Sequence, residues 1–220
     1  MRTVKFFKYD LRRCKHLFLM SVILFAPLGA MMGYNMESVL GCFSYMALVV
    51  VIAPTTLFTY EQKVDCGFDG LLPATDSNRV FGRYLLGSVS VVFQLLLGVI
   101  ISVIVSEITG LKVSDLSVVS MIFIATTLIY LSVAFVFYYF IGRNLNQQIK
   151  SAIIMVPCLA IWFAANAVIA LLTDEDVVGV LAKIMENIEI ISALALVISV
   201  AMYVISALIS VQIVKRKDYR

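Results

Sequence analysis

Long apolar segments separated by short polar ones make up most of this chain. A helix needs about 20 apolar residues to cross the hydrocarbon layer of a membrane. Six segments reach that length, with continuous rather than alternating apolar character: residues 17–35, 38–60, 84–106, 116–141, 151–172 and 190–214. Because backbone groups in lipid must be satisfied within one segment, the pattern predicts an all-α membrane protein with six transmembrane helices.

Composition and charge agree with this prediction and add an orientation. Hydrophobic residues make up 62% of the chain and charged residues 14%, which excludes an ordinary water-soluble domain. Of the 17 lysines and arginines, all except Lys112 and Lys183 lie in the leader, after the second and fourth spans, or in the tail. The positive-inside rule then predicts that both termini are cytoplasmic. No basic patch with interleaved aromatic residues indicates a nucleic-acid partner.

The leader, residues 1–16, is patterned as an amphipathic helix. Apolar residues recur every three or four positions, and lysines and arginines occupy the other faces. This spacing predicts an interfacial helix along the inner leaflet, with a solvated basic leader as the alternative. The predicted apolar face, continuing into the first span, consists of Val4, Phe7, Leu11, Cys14 and Phe18. Further on, Gly29 and Gly33 form a GxxxG motif, which allows close helix packing.

Residues 173–189 predict a short amphipathic helix on the outer side, before the sixth span. Thr173 followed by three acids is a capping-box pattern, with the acids where the helix dipole favours them. We expect this helix to lie on the outer leaflet and shape an exit gate, with a linker packed on the bundle as the alternative. The candidate gate residues are Asp174, Glu175, Asp176, Leu181 and Ile184.

The predicted spans offer little for catalysis or ion coupling. They contain no Asp, Glu, Lys or Arg, and the only histidine, His16, lies at the membrane edge. The four cysteines form no CxxC motif, and no GxxxxGK[ST] phosphate loop occurs. We therefore expect no catalytic residue, metal site or cofactor in this chain, and ATP hydrolysis only in another polypeptide. Gln94 and Asn166 are candidates for a pathway contact or for helix packing.

The connection over residues 61–83 is the longest polar interruption on the basic side. A short helix is expected over residues 65–70, a turn at Leu72-Pro73, and a cap at residues 75–77 for the helix into the third span. Ordered loops of this length are usually functional, so we interpret the segment as a docking surface for a motor. A loop that folds under the bundle and binds nothing is the alternative. The candidate docking residues are Glu61, Lys63, Asp65, Phe68, Asp69, Leu72, Pro73 and Arg79.

The order of residue types here is an acid ending a span, a glycine-aromatic pair, Leu-Pro, a hydroxyl, a base and a tyrosine opening the next span. In this chain these are Glu61, Gly67, Phe68, Leu72, Pro73, Ser77, Arg79 and Tyr84. The motif, the basic leader and the span count resemble the ABC-2 type permeases, the membrane subunits of ABC exporters. Small permeases that export phenol-soluble modulins are most similar in size. Arg83 stands where lysine is more usual, and the small Cys66-Gly67 pair departs from the pattern.

The resemblance implies a cytosolic ABC ATPase dimer, which holds ATP and Mg and binds two permeases, the second a copy or a paralogue. Phe68 would be the apolar anchor in a groove of the ATPase, with Glu61, Asp65, Asp69 and Arg79 at its polar rim. Export of amphipathic peptides across a bacterial plasma membrane is the implied activity. Two other classes fit the topology: a six-span substrate-capture subunit of a vitamin importer, and a non-transport immunity or scaffold protein.

The basic leader followed by an apolar run also resembles a signal peptide, but the run is longer than the apolar core of one. We therefore predict an uncleaved first span. N-terminal sequencing of the purified protein should read the leader itself. A first residue just after Ala26 or Ala30 would instead show that the segment is removed.

Overall fold

The structure of the protein is a computed structural model, and helices are the regular elements of the residues that it describes. These residues are 2–36, 39, 41–43, 45–47, 49–50, 52, 75–110, 116–141 and 187–216. The elements are α1 (Arg2–Met20), a π-helical turn (Ser21–Phe25), α2 (Ala26–Met36), α3 (Asp76–Thr109), α4 (Leu116–Ile141) and α5 (Ile188–Arg216). The described residues between 39 and 52 are also helical. The prediction of an all-α fold is confirmed for this part of the chain.

Helices long and apolar enough to cross a membrane occur four times in the described residues. They are Thr3–Asn35, Ser77–Thr109, Leu116–Ile141 and Ile188–Arg216. They contain the predicted spans 17–35, 84–106, 116–141 and 190–214, so the chain is a multi-pass membrane protein. The predicted span 151–172 lies outside the described residues, as do most of the predicted span 38–60 and most of the outer helix 173–189.

The N-terminal helix runs from Arg2 to Met36 without a break. Its two α-helical parts are joined by the π turn, in which the Ala26 backbone N–H donates to the Ser21 carbonyl oxygen. The Ser21 hydroxyl donates to the carbonyl oxygens of Leu17 and Phe18, at 3.0 and 2.8 Å. At 1.5 Å per residue, this helix is roughly 50 Å long and exceeds the 30 Å of a bilayer core.

The structure does not confirm a separate interfacial helix over residues 1–16. Instead, α1 packs lengthwise against α3, with Phe6 beside Gly82 near the start and the Phe18 ring against the Phe93 ring further along. The predicted apolar face is wrong in its first turns, because Phe6 is 5% exposed and Val4 is 49% exposed. The helix is rotated so that Asp10, which an apolar pattern does not count, also faces inward.

The α4 and α5 helices form the most extensive pair among the described elements, and α3 contacts α1, α2, α4 and α5. The buried face of α5 is rich in serine, and most of its large apolar side chains point outward. Lipid tails are as apolar as leucine, so membrane helices pack through small residues, as here. The buried hydroxyls of Ser199 and Ser206 donate to carbonyl oxygens of their own helix, both at 2.8 Å.

The GxxxG motif of α2 meets the helical residues around position 42. A Cβ atom at Gly29 would lie 2.8 Å from the Cys42 carbonyl oxygen, and one at Gly33 would meet the Cys42 Sγ atom. From the other side, a Cβ at Gly41 would lie 2.9 Å from the Met32 carbonyl oxygen. Two backbones therefore approach at distances that only glycine permits.

Gly29→Val should lower the thermal stability of the protein in detergent. The new side chain meets backbone, which cannot rotate away, and overpacking of this kind costs about 1–3 kcal/mol. Met31→Val on the same helix is the matched control: Met31 is 62% exposed, and surface changes usually stay within about 0.5 kcal/mol. Equal melting temperatures for the two variants would contradict the close contact.

Candidate functional site

The start of α3 is the end of the predicted docking segment that the structure describes. Thr75 takes the N-cap position with an extended backbone (φ −69°, ψ 151°). Its carbonyl oxygen accepts from the backbone N–H groups of Asn78 and Arg79, at 2.9 and 3.2 Å. Its hydroxyl accepts from the Asn78 side-chain amide at 2.7 Å. The loop therefore passes into α3 through a structured first turn.

The first turns of α1 and α3 are joined by three contacts, which we call the α1–α3 seam. The Thr3 hydroxyl donates to the Asn78 amide oxygen at 2.8 Å. The Phe6 ring covers Gly82, where a Cβ atom would lie 3.2 Å from Phe6 Cδ1. The third contact is an ion pair between Asp10 and Arg83. Because positions on α1 and α3 advance together along the seam, the two helices run parallel.

The Asp10–Arg83 pair is buried. The side chains are 3% and 5% exposed, and Arg83 Nε lies 4.0 Å from Asp10 Oδ2. This distance is longer than a hydrogen bond, so the attraction between these two atoms is Coulombic. The guanidinium carbon of Arg83 also lies 5.9 Å from the centroid of the Tyr139 ring, which places the cation within reach of an α4 aromatic face. Arg83 therefore links α3 to both α1 and α4.

Tyr84, the next residue, fixes α3 to α4 and α5. Its hydroxyl lies 2.9 Å from the Ser210 hydroxyl, and its carbonyl oxygen accepts from the Tyr203 hydroxyl at 2.6 Å. Its ring packs on Phe135 of α4 and Tyr203 of α5, with centroids 4.7 and 5.0 Å apart. Gly87 makes this approach possible, since a Cβ there would lie 2.7 Å from the Tyr203 hydroxyl.

Two consecutive residues near the N-terminal end of α3 thus connect it to α1, α4 and α5. A displacement of this end would be resisted by a buried ion pair on one side and by packed aromatic rings and hydrogen bonds on the other. Packed side chains and rigid helices are the elements that carry mechanical coupling between distant parts of a protein. The arrangement suits transmission of movement between helices. Among the described residues, no three His, Cys, Asp or Glu side chains are grouped so as to hold a metal ion.

The structure describes only some of the site residues that were predicted from the sequence. Arg79 lies half-buried in the second turn of α3, and Gln94 is fully buried further along that helix. Gly29 and Gly33 face Cys42. Of the predicted site residues, those outside the described part of the chain are Glu61, Lys63, Asp65, Phe68, Asp69, Leu72, Pro73, Asn166, Asp174, Glu175, Asp176, Leu181 and Ile184.

Sequence reasoning missed Asp10, Tyr203 and Ser210. Asp10 is the only acid in a basic leader, four residues from Phe6 and from Cys14, which are buried on the same side. A charge in the middle of an apolar stripe was the available signal. On α5, the signal was spacing: Tyr203 and Ser210 are seven residues apart, and a seven-residue repeat keeps side chains on one helix face.

Long apolar helices with small polar residues inside and large apolar residues outside define a multi-pass helical membrane protein. The chain matches the family model described as "ABC-2 family transporter protein" over residues 5–215, and it belongs to this family. The prediction of an ABC-2 type permease is therefore confirmed. Family membership makes the chain a permease subunit of an ABC transporter and implies association with an ABC ATPase. Neither the search of curated proteins nor that of solved structures gave a match.

Breaking the buried ion pair should destabilise the protein strongly. Asp10→Ala leaves the Arg83 cation buried without its carboxylate neighbour, a change that costs about 3–5 kcal/mol in comparable sites. The double variant Asp10→Leu with Arg83→Met should lose less than the sum of the single variants, because neither charge is then stranded. Melting temperatures in detergent measure these changes.

Lys8→Ala is the matched control, since Lys8 is an exposed charge on the same helix. It should change stability by no more than about 0.5 kcal/mol. Additive losses in the double variant would show that Asp10 and Arg83 do not interact.

Proposed function

We propose that this permease belongs to an ATP-driven exporter, in which a separate cytosolic ATPase dimer docks on the segment 61–83 and tilts the spans. The observation that carries the proposal is the attachment of this segment's end to the bundle. Thr75 begins α3, and within three helical turns Asn78, Arg83 and Tyr84 contact α1, α4 and α5. A force applied at the segment would thus reach each of these helices.

The charge pattern and the family both support ATP hydrolysis by a partner as the source of energy. The predicted spans carry no acidic or basic residue for proton or ion coupling. The chain belongs to a transporter family whose members associate with an ABC ATPase, and ATP hydrolysis by that partner is the alternative source of energy. In the proposed complex, ATP and Mg bind the partner ATPase, and this chain supplies no catalytic residue. Phe68 is the proposed anchor and Arg79 part of the polar rim.

The substrate we propose is an amphipathic or hydrophobic molecule, such as a peptide of the phenol-soluble modulin kind. A charge-free set of spans suits such a molecule, and the methionines within the spans offer flexible apolar side chains that tolerate varied ligands. A second permease, a copy or a paralogue, would complete the pathway. We place the complex in a bacterial plasma membrane with both termini of this chain in the cytosol, as the basic residues favour.

Phe68→Asp should abolish co-purification with the ABC ATPase that the wild-type permease retains from native membranes, while the permease still inserts in the membrane. A charge at the centre of a desolvated contact removes the apolar anchor and adds a desolvation penalty. Phe68→Leu is the matched control and should keep most of the binding. Co-purification unchanged by Phe68→Asp would rule out the anchor.

Transport itself is tested with the purified pair in liposomes. ATP should drive labelled amphipathic peptide from the ATPase side to the other side, and the same peptide should stimulate ATP hydrolysis. Movement of peptide without any ATPase would contradict the proposal. A tightly bound vitamin retained through purification would point instead to an importer subunit.

A further inference from the structure

Gln94 is the buried polar side chain that the proposed transport function does not use. It is 0% exposed, and neither its amide nitrogen nor its amide oxygen has a hydrogen-bond partner among the residues that the structure describes. On the same helix, the hydroxyls of Ser88 and Ser102 donate to carbonyl oxygens one turn back, at 3.1 and 2.8 Å. A glutamine amide brings two donors and two acceptor positions, so leaving it without any partner is unusual in a folded protein.

Gln94 is among the residues that line a small cavity. The volume of the cavity is about 10 Å³, and it is lined by Cys14, Leu17 and Phe18 of α1, by Val49, and by Leu86, Ser90 and Gln94 of α3. Ser90 precedes Gln94 by one helical turn, so both side chains leave the same face of α3. A cavity of this volume is about the smallest that holds a water molecule, and a water needs two to four polar partners. The Gln94 amide and the Ser90 hydroxyl supply that number.

We propose that this cavity is a binding site for one internal water molecule, held by the Gln94 amide and the Ser90 hydroxyl between α1 and α3. The volume excludes a peptide, a lipid chain or a headgroup as the occupant. A second copy of the chain is also excluded as the partner of Gln94, because this side chain has no exposed surface. Cavities lined only by apolar groups stay dry, and the amide is what distinguishes this one.

The proposed water site lies deep within the span rather than at the protein surface. Along α3, Gln94 lies roughly 16 Å from Arg83 and 20 Å from Glu107, at 1.5 Å per residue. The site is therefore inside the span, where no bulk water can satisfy the amide. The bound water completes the hydrogen bonding of α3 at this level and bridges the α3 polar groups toward α1.

X-ray radiolysis footprinting tests the proposal on the purified full chain in nanodiscs. Hydroxyl radicals form from a bound water where it sits and oxidise the side chains that touch it. Cys14 should therefore be oxidised several-fold faster than Cys42. The two thiols are matched in burial, at 2% and 0% exposed, but Cys42 does not line this cavity. Equal oxidation of the two cysteines would show a dry cavity and overturn the proposal.

Two variants and one reagent distinguish an internal water from other causes of Cys14 oxidation. Gln94→Met, which is similar in volume, should reduce oxidation of Cys14 to the level of Cys42, and Ser90→Ala should reduce it in part. If Gln94→Met does not fold, the Ser90→Ala variant and the ratio of Cys14 to Cys42 oxidation in the wild type still show whether the cavity holds a water molecule. A bulky water-soluble thiol reagent should leave Cys14 unlabelled. Labelling by that reagent, or oxidation unchanged by both variants, would show access of bulk water rather than a bound molecule.

Discussion

Arg83 Nε and Asp10 Oδ2 lie 4.0 Å apart, and this buried pair holds α1 and α3 in register. Helices in lipid gain little from apolar contact alone, because the lipid tails they displace are equally apolar. Polar contacts then decide which turn of one helix lies beside which turn of the other. A shift of α1 by one turn along α3 would separate these two buried charges, at a cost of several kcal/mol. The Thr3–Asn78 and Phe18–Phe93 contacts lie where this register puts them.

The position of the pair matters as much as its energy. Arg83 is followed directly by Tyr84. The residue that pairs with α1 is therefore adjacent in the chain to the residue that contacts α4 and α5. Both lie within the first three turns after Thr75, at the end of the segment proposed to meet the ATPase. Close-packed interiors transmit strain because they have little free volume to absorb it. A glycine at position 87 increases this stiffness, since it brings the Tyr203 and Phe135 side chains against the α3 backbone.

The sequence was sufficient to predict the limits of a helix where one apolar segment corresponds to one helix. The predicted span 116–141 has the same limits as α4, and the predicted span 190–214 lies two residues inside α5 at each end. It was insufficient for α1, because an amphipathic pattern does not reveal whether lipid headgroups or another helix cover the apolar face. Val4 was assigned to the buried face and Phe6 was not, since the true face contains Asp10 and a charge lowers the apolar score of that face. The partner of Asp10, 73 positions away, is specified only by tertiary structure.

The seams of the bundle differ in how their polar groups are satisfied, and this difference bears on which helices move together. On α4 and α5, the hydroxyls of Thr127, Ser132 and Ser206 donate to carbonyl oxygens of their own helix. Such bonds survive when one helix slides past its neighbour. Along the α1–α3 seam, the Thr3 hydroxyl instead donates to Asn78 of α3, and the Asp10 carboxylate pairs with Arg83 of α3. Sliding there would break the hydrogen bond and the ion pair that cross the seam. The α1 and α3 helices should therefore act as one body, joined to α5 through the Tyr84 and Ser210 hydroxyls, while the α4–α5 pair adjusts.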